Sequence, residues 1–282
     1  MRAALADGRT VVVKEGPTVR AEAAGLRWLA GAGGPPVPEV LDVTGDRLVT
    51  GFVPGAEPSR AGAEELGRRL AVMHTAGAPV FGAGPPGASP DAWIGRAPMR
   101  NVAVPARGGE PVPPGSDPGP VGDVGAGARS APGWAQWYAT ERVEPYLRAA
   151  RDAGDLTRAE ADVVDGVCAA LPRLAGPAEP PARLHGDLWA GNVLWAADGA
   201  WLIDPAAHGG HRETDLAMLA LFGCPHLDAI LAGYDDAAPL APGWRERVPV
   251  HQLFPLLVHV VLFGRGYAGG VVAAARAALR LG

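Results

Sequence analysis

The chain has 282 residues, 48% of them hydrophobic, so it is long enough to bury a sizeable core. Its formal net charge of −5 and the lack of a basic run argue against nucleic acid as a partner, and no apolar run is long enough to span a membrane. No signal peptide precedes Asp7, and the two cysteines, Cys168 and Cys224, lack metal-site spacing, so we expect reduced thiols in a cytoplasmic protein.

Residues 1–53 predict a small β-rich unit that contains one helix. Turn signals such as Asp7-Gly8 and Gly45-Asp46 separate short runs of β-branched residues, and Pro17 precedes a helical stretch. The expected elements are strands at 3–6, 9–14, 40–43 and 47–53 and a helix at 18–30.

Lys14 is the only lysine among the 25 Lys and Arg residues, and it lies at the end of a predicted strand. A compact ammonium differs from a guanidinium where it must reach phosphates, so the position favours a functional lysine over one that survived by drift. Glu22 falls on the apolar stripe of the predicted helix, where a carboxylate needs a partner. Lys14 is the obvious partner, although Glu22 reaching solvent or pairing with an arginine are alternatives.

Gly51, Phe52 and Val53 end the predicted N-terminal unit, just before Pro54-Gly55. This is where a hinge between two lobes would pass. A hinge binds adenine through backbone groups, and a glycine allows close approach. We therefore expect these three residues to contact ATP.

The middle of the chain predicts helices at 62–75, 133–153 and 157–174. Residues 104–132 are rich in Pro and Gly and almost lack large apolar residues, so we expect a mobile loop without chemistry. His74 ends the first helix and is more typical of a structural histidine than of a ligand. Trp134, Trp137 and Tyr138 are expected in the core, with a substrate wall as the alternative.

The stretch from His185 onward carries the strongest signal. Asn192 follows Asp187 by five residues, a hairpin turns at Asp198-Gly199, and Asp204 ends its second strand. This spacing is typical of a kinase catalytic loop, in which one Asp orients the acceptor hydroxyl while an Asn and a second Asp bind Mg²⁺. The alternative is a turn-rich loop whose Asp and Asn only cap backbone groups.

Asp215 precedes a predicted helix at 216–222 and either caps it or binds back onto the catalytic loop. Further helices are expected at 225–234, 244–264 and 269–281. Strands concentrate in the first 53 residues and the catalytic hairpin, which favours an α+β, two-lobed fold. We place the lobes at 1–53 and 54–282.

These motifs resemble the fructosamine/ketosamine kinase family, within the larger aminoglycoside- and choline-kinase-like group. The resemblance rests on His185-Gly-Asp-Leu-Trp189-x-Gly-Asn192, Asp204-Pro-Ala and Arg212-Glu-Thr-Asp-Leu-Ala-Met-Leu219. It implies a protein-kinase-like fold and ATP- and Mg²⁺-dependent phosphorylation of a sugar hydroxyl of a fructosamine- or ribulosamine-type ketoamine. The carrier is a small amine or a glycated protein, so the family acts in deglycation.

The resemblance also implies a role for each matching residue. Asp187 is the base, Asn192 and Asp204 bind Mg²⁺, Lys14 binds the ATP phosphates and Glu22 orients Lys14. The resemblance further implies that His185 and Asp215 support the catalytic loop. Trp189 and His259 are candidates for the sugar pocket. A tryptophan packed into the core is the alternative for Trp189.

One departure from the family pattern concerns the glycine-rich strand–loop–strand that covers the phosphates in relatives. Only thirteen residues precede Lys14, so we expect this cover to be incomplete, either because the true start lies upstream or because a strand has been lost. The rival hypotheses are an aminoglycoside- or choline-type kinase, against which Trp189 argues, and a catalytically impaired, truncated remnant. The sequence does not indicate an oligomeric state.

Overall fold

The computed structural model describes residues 1–5, 7–103 and 133–281. The mobile loop that we expect at 104–132 lies outside the described residues. Within them, every helix is too short or too polar to cross a bilayer.

The N-terminal part is a four-stranded antiparallel sheet in the order β1-β2-β4-β3. Its strands are β1 (Arg2–Ala4), β2 (Thr10–Glu15), β3 (Val40–Thr44) and β4 (Arg47–Gly51). Val11 and Val13 alternate with exposed or half-buried neighbours and pack with Val49. Lys14, opposite Leu48 in the register, points to the other face. The predicted strands are confirmed, although β1 and β4 are shorter than predicted, and a lobe boundary after Val53 stays a prediction.

Helix α1 (Val19–Ala30) packs on this sheet, and the predicted helix is confirmed. Val19 and Ala23 contact Leu48 of β4, and Leu26 and Leu29 of the predicted apolar stripe are also buried. On another side of the helix, a Cβ on Gly25 would lie only 3.0 Å from the Pro205 side chain. The helix therefore packs tightly against the segment that follows Asp204.

The rest of the described chain is mostly helical. Its helices are α2 (Arg60–Thr75), α3 (Trp134–Tyr138), α4 (Glu144–Asp152), α5 (Arg158–Leu174), α6 (Glu213–Leu221), α7 (Leu227–Ala237), α8 (Trp244–Phe263) and α9 (Ala268–Leu279). The predicted single helix at 133–153 is in fact α3 and α4 joined by a π-helical turn, Ala139–Val143. Trp134, Trp137 and Tyr138 are buried in the larger hydrophobic core, as predicted.

Helices α2 and α7 approach each other unusually closely. A Cβ on Gly67 would collide with the Ile230 carbonyl, and one on Gly233 would collide with the Glu64 carbonyl. Two backbones can come this near only where both side chains are absent. The pair forms the centre of a second core, which also includes Leu188 and Leu202 of the catalytic stretch.

Three short two-stranded sheets complete the fold. They are the hairpin β5 (Asp91–Ile94) with β6 (Ala97–Arg100), β7 (Ala182–Leu184) with β10 (His208–Gly210), and the hairpin β8 (Val193–Ala196) with β9 (Gly199–Leu202). The sequence predicted the β8–β9 hairpin but not β6 or β10. Pro98 lies inside β6 and two glycines lie in β10, and both residue types normally argue against a strand.

Candidate active site

The catalytic loop connects β7 to β8. Asp187 follows β7 after a turn, and a short 3-10 turn, Ala190–Asn192, carries Asn192 back toward it. The Asn192 Nδ2 donates to the Asp187 backbone oxygen at 2.8 Å and to its Oδ2 at 3.1 Å. This orientation leaves the Asn192 Oδ1 available to a metal ion.

Asp204 follows β9 and has a left-handed backbone with φ of 54°. Two backbone contacts fix the preceding residue, Ile203. Its amide donates to the Asn192 backbone oxygen at 3.1 Å, and its backbone oxygen lies 2.9 Å from the His185 Nε2. His185 thus connects the start of the catalytic loop to the residue before Asp204.

Lys14 brings the N-terminal sheet into the site. Its Nζ lies 2.7 Å from Glu22 Oε1 on α1 and also contacts the Asp204 carboxylate. Burial alone would lower the pKa of Lys14, but the Glu22 and Asp204 carboxylates raise it. The ammonium is therefore charged at neutral pH.

These groups surround one cavity of about 690 Å³ between the sheet and the helical part. Its lining includes Lys14, Glu22, Asp187, Trp189, Asn192, Asp204, Met1, Trp93 and Gly95. The helical part contributes the hard carboxylate and amide oxygens, and the sheet contributes the Lys14 ammonium, which contacts the Asp204 carboxylate. Mg²⁺ prefers such oxygen ligands and takes few carboxylates from protein, so the residues present match a magnesium site.

The environment of Asp187 suits proton transfer. Burial, together with the charges on Asp204 and Asp215, raises the pKa of this carboxyl to about 7 against the opposing hydrogen bond from Asn192. A general base with a pKa near the working pH can accept a proton and release it again.

Asp215 is fully buried beneath the loop. It accepts hydrogen bonds from the His185 amide at 2.7 Å, the Gly186 amide at 3.0 Å and the His74 Nε2 at 3.1 Å. Burial would raise the pKa of Asp215, but these hydrogen bonds and the nearby histidines lower it. Of the two alternatives, Asp215 thus binds back onto the loop, and α6 has no side-chain cap.

His74 is buried and structural, as predicted, but its partners could not be predicted from the sequence. Its Nδ1 lies 2.8 Å from the Tyr234 hydroxyl, so the ring joins α7 to Asp215. Since a carboxylate only accepts, the Nε2 donates to Asp215.

The two candidate sugar-pocket residues differ in their placement. Trp189 is 41% exposed and lines the cavity, with its ring 6.4 Å from the ring of Phe222. His259 does not line the cavity; it lies 4.8 Å from Phe222 and binds the Pro255 oxygen at 2.7 Å. Phe222, 43% exposed, contacts both rings but does not line the cavity.

The three predicted hinge residues do not line this cavity. The Gly51 amide donates to the Glu39 oxygen at 2.9 Å and the Phe52 amide to the Thr10 oxygen at 3.3 Å. Val53 is the remaining member, and its amide has no backbone acceptor in the described part of the chain. A role for these residues in adenine binding stays a prediction.

Comparisons with known proteins point to one family. A family model for fructosamine kinase matches residues 121–280. The crystal structure of a Thermobifida fusca protein assigned as a fructosamine-3-kinase superposes with a TM-score of 0.83 at 47% identity, covering 99% of this chain and 88% of that chain.

Curated relatives match over a shorter region. The ketosamine-3-kinase of Mus musculus is 35% identical over 138 residues, which cover 48% of this chain and 44% of the mouse protein. The matched region is thus less than half the length of that relative. The choline kinase LicA of Streptococcus pneumoniae superposes with a TM-score of 0.61 at 16% identity, covering 100% of this chain and 89% of that chain. This likeness shows the fold, a small sheet lobe joined to a larger helical part.

Proposed function

Because the chain belongs to the fructosamine kinase family, we propose that it is an ATP-dependent kinase for a sugar hydroxyl of a ketoamine. The observation that supports this most is the convergence of Lys14, Asp187, Asn192 and Asp204 on one cavity, although Lys14 is far from the others in sequence. Phosphoryl transfer needs a cation for the phosphates, metal ligands and a group that orients the acceptor.

Lys14 binds the ATP phosphates in this proposal, and Glu22 holds its ammonium in place. The Asn192 Oδ1 and the Asp204 carboxylate would hold Mg²⁺, which supplies neutralisation of charge on the phosphates when bound. Lys14 contacts Asp204 in the structure, and in this proposal its ammonium would contact a phosphate oxygen once the nucleotide binds. The backbone of 51–53 would receive the adenine.

Asp187 accepts the proton of the acceptor hydroxyl. The hydroxyl oxygen then bonds to the γ-phosphorus, and the bond from that phosphorus to ADP breaks. The positions of Asp187 and Trp189 in the same wall let an acceptor sugar lie on the indole while its hydroxyl faces the carboxylate. We propose fructosamine- and ribulosamine-type acceptors, on small amines or glycated proteins, and hence a role in deglycation in the cytoplasm.

A coupled ADP-release assay tests the proposal. Purified protein with MgATP is offered a fructosyl-amine, a ribulosyl-amine, choline and an aminoglycoside, and we expect turnover of the ketoamines alone. Turnover of choline or the aminoglycoside without the ketoamines would assign the chain to a rival acceptor class. No turnover of any acceptor, without a thermal shift on adding MgATP, would favour the impaired remnant.

The Asp187→Asn variant tests the assigned base. We expect its rate to fall about 10²–10⁴-fold, the usual contribution of a general base. Asp162→Asn is the matched control because Asp162 is exposed on α5, away from the cavity. A variant at Asp187 that folds and turns over at the unchanged rate would contradict the role.

A further inference from the structure

The cavity that Lys14, Asp187 and Asp204 line is called the catalytic cavity. A second cavity, of about 780 Å³, lies beside it. Its walls are a neighbouring face of α1, residues 86–93 and Arg183 of β7. It shares Ala21 and Trp93 with the catalytic cavity, but it is lined by none of the groups proposed to bind phosphate or metal or to accept the proton. The proposed reaction therefore leaves this cavity without a role.

The second cavity is strongly cationic. Arg20 and Arg27 line it from the same face of α1, seven residues apart, and Arg183 of β7 lines it beside Trp28. In the described ranges, none of the three forms an ion pair with a carboxylate. Asp91 also lines the cavity, but its carboxylate lies 3.6 Å from Arg100, outside it. Positive charge therefore exceeds negative charge along this lining.

Arg183 is the most informative of the three because it is half-buried. Its Nε and Nη1 donate to the Gly77 oxygen at 3.3 Å and the Trp28 oxygen at 3.0 Å, and its guanidinium lies 4.8 Å from the centre of the Trp28 ring. These contacts fix the side chain with neutral groups only. Burial lowers the pKa of Arg183, since no nearby carboxylate offsets the desolvation.

The remaining surface is mostly apolar. Trp28 and Trp93 present half-buried rings to the cavity, and Pro17, Ala21 and Ala24 contribute small apolar groups. The volume is within the range that small-molecule sites usually show, and such sites combine apolar walls with a few charged groups. A guanidinium held in place beside an aromatic ring recognises planar anions well.

We propose that this second cavity binds a small organic anion, a carboxylate or a phosphate ester on a flat apolar frame. The anionic group lies among Arg20, Arg27 and Arg183, and the frame lies against Trp28 and Trp93. A bound anion supplies the counter-charge that Arg183 lacks in the described structure. The site is independent of the proposed reaction, since it uses none of its residues.

Isothermal titration of the full chain with three probes tests the proposal. The probes are 1-naphthyl phosphate, 1-naphthoate and 1-naphthol, which share a frame and differ in charge. We expect at least one anion to bind about tenfold more tightly than 1-naphthol, as for one charge-assisted hydrogen bond. The stronger of the two anions identifies the head group. Equal binding of all three probes, or no binding of either anion, would overturn the proposal.

Substitutions locate the site. Arg20→Ala and Arg27→Ala should each weaken anion binding about tenfold and fold normally, since both side chains are exposed. Arg148→Ala, on the exposed face of α4, should leave binding unchanged. Saturating MgATP should also leave the bound anion in place. Displacement by MgATP, or unchanged binding in both α1 variants, would put the anion elsewhere and refute the assignment.

Discussion

The His74 ring and the Asp215 carboxylate lie 3.1 Å apart in the interior and join helix α2 to the loop that carries Asp187. Asp215 also accepts the His185 and Gly186 amides, so one buried carboxylate holds three donors. The orientation of the catalytic loop therefore depends on a group that lies below the catalytic cavity and does not line it.

Asp215→Asn removes the negative charge and replaces one carboxylate oxygen with an NH₂ group. That group cannot accept a hydrogen bond from the backbone amides that face it. We expect a loss of about 1–3 kcal/mol in the free energy of unfolding, together with slower turnover. Urea unfolding and the ADP-release assay measure the two effects. Asp162→Asn should change neither, and a variant at Asp215 as stable as the parent would show that the buried hydrogen bonds contribute little.

Glu22→Gln keeps the shape of the side chain but removes the charge that faces Lys14. We expect the KM for ATP to rise, about tenfold for a loss of ~1.4 kcal/mol, because the ammonium is no longer held for the phosphates. Initial rates at varied ATP measure this effect. Glu39→Gln, which changes an exposed glutamate of the same lobe, is the control. An unchanged KM would mean that Glu22 does not position Lys14.

Trp189→Ala should raise the KM for the ketoamine by about tenfold and leave the KM for ATP unchanged, since stacking on an indole contributes roughly 1–2 kcal/mol. Trp189→Phe should restore part of the loss. The same measurement on His259→Asn separates the two candidates, because His259 lies outside the cavity and should have a smaller effect. If Trp189→Ala raised the KM for ATP as much as the KM for the ketoamine, the result would indicate a general disturbance of the loop.

Buried histidines make stability depend on pH. Burial, with the charge on Arg142, lowers the pKa of His208 to about 3, and burial, with His251 nearby, lowers that of His211 to about 3. The unfolded chain therefore binds more protons at these sites below pH 6.5, so stability falls as pH falls from about 6.5 toward 3. Each of the two histidines therefore lowers the free energy of unfolding by about 2 kcal/mol at pH 5 compared with neutral pH. Asp187 has a raised pKa in the folded protein, so its contribution to the free energy of unfolding increases as pH falls from about 7 to about 4.

A single substitution isolates the histidine contribution. Urea unfolding of His208→Asn at pH 7.5 and pH 5 should show a pH-dependent loss smaller by about 2 kcal/mol than in the parent protein. His226→Asn is the control because His226 is exposed and has a left-handed backbone that asparagine tolerates. The same pH dependence in all three proteins would refute the assignment to His208.

Gly233→Ala tests the close contact of α2 and α7. A methyl group there collides with the Glu64 carbonyl, so we expect destabilisation by about 1–3 kcal/mol in urea unfolding. Gly166→Ala, in the middle of α5, has space for the methyl group at an ordinary 3.7 Å from Leu279 and should be neutral or stabilising by up to ~1 kcal/mol. Equal effects of the two changes would show that helix propensity, and not the contact, decides stability.

Local patterns predicted most of the fold. The stripe of α1, the Asp198-Gly199 hairpin and the α2 helix follow from periodicity and turn residues that lie within a few positions of one another. The pairing of Lys14 with Glu22 also followed, because both the lone lysine and the misplaced carboxylate are visible in the sequence.

Long-range contacts outside the recognised motifs could not be predicted. His74 and Asp215 meet although 141 positions separate them, and no local rule relates the two. The β6 strand contains a proline and β10 contains two glycines, so the surrounding chain overrides their local preferences. Trp93 borders two cavities only because the β5–β6 hairpin folds against α1.

The left-handed backbone at Asp204 limits which amino acids evolution can use at this position. Glutamate and other long or branched side chains resist that conformation, whereas aspartate, asparagine and glycine accept it. Among these three, only aspartate is negatively charged. The peptide geometry and the proposed role as a magnesium ligand thus favour the same amino acid independently, which leaves little room for neutral drift at this site.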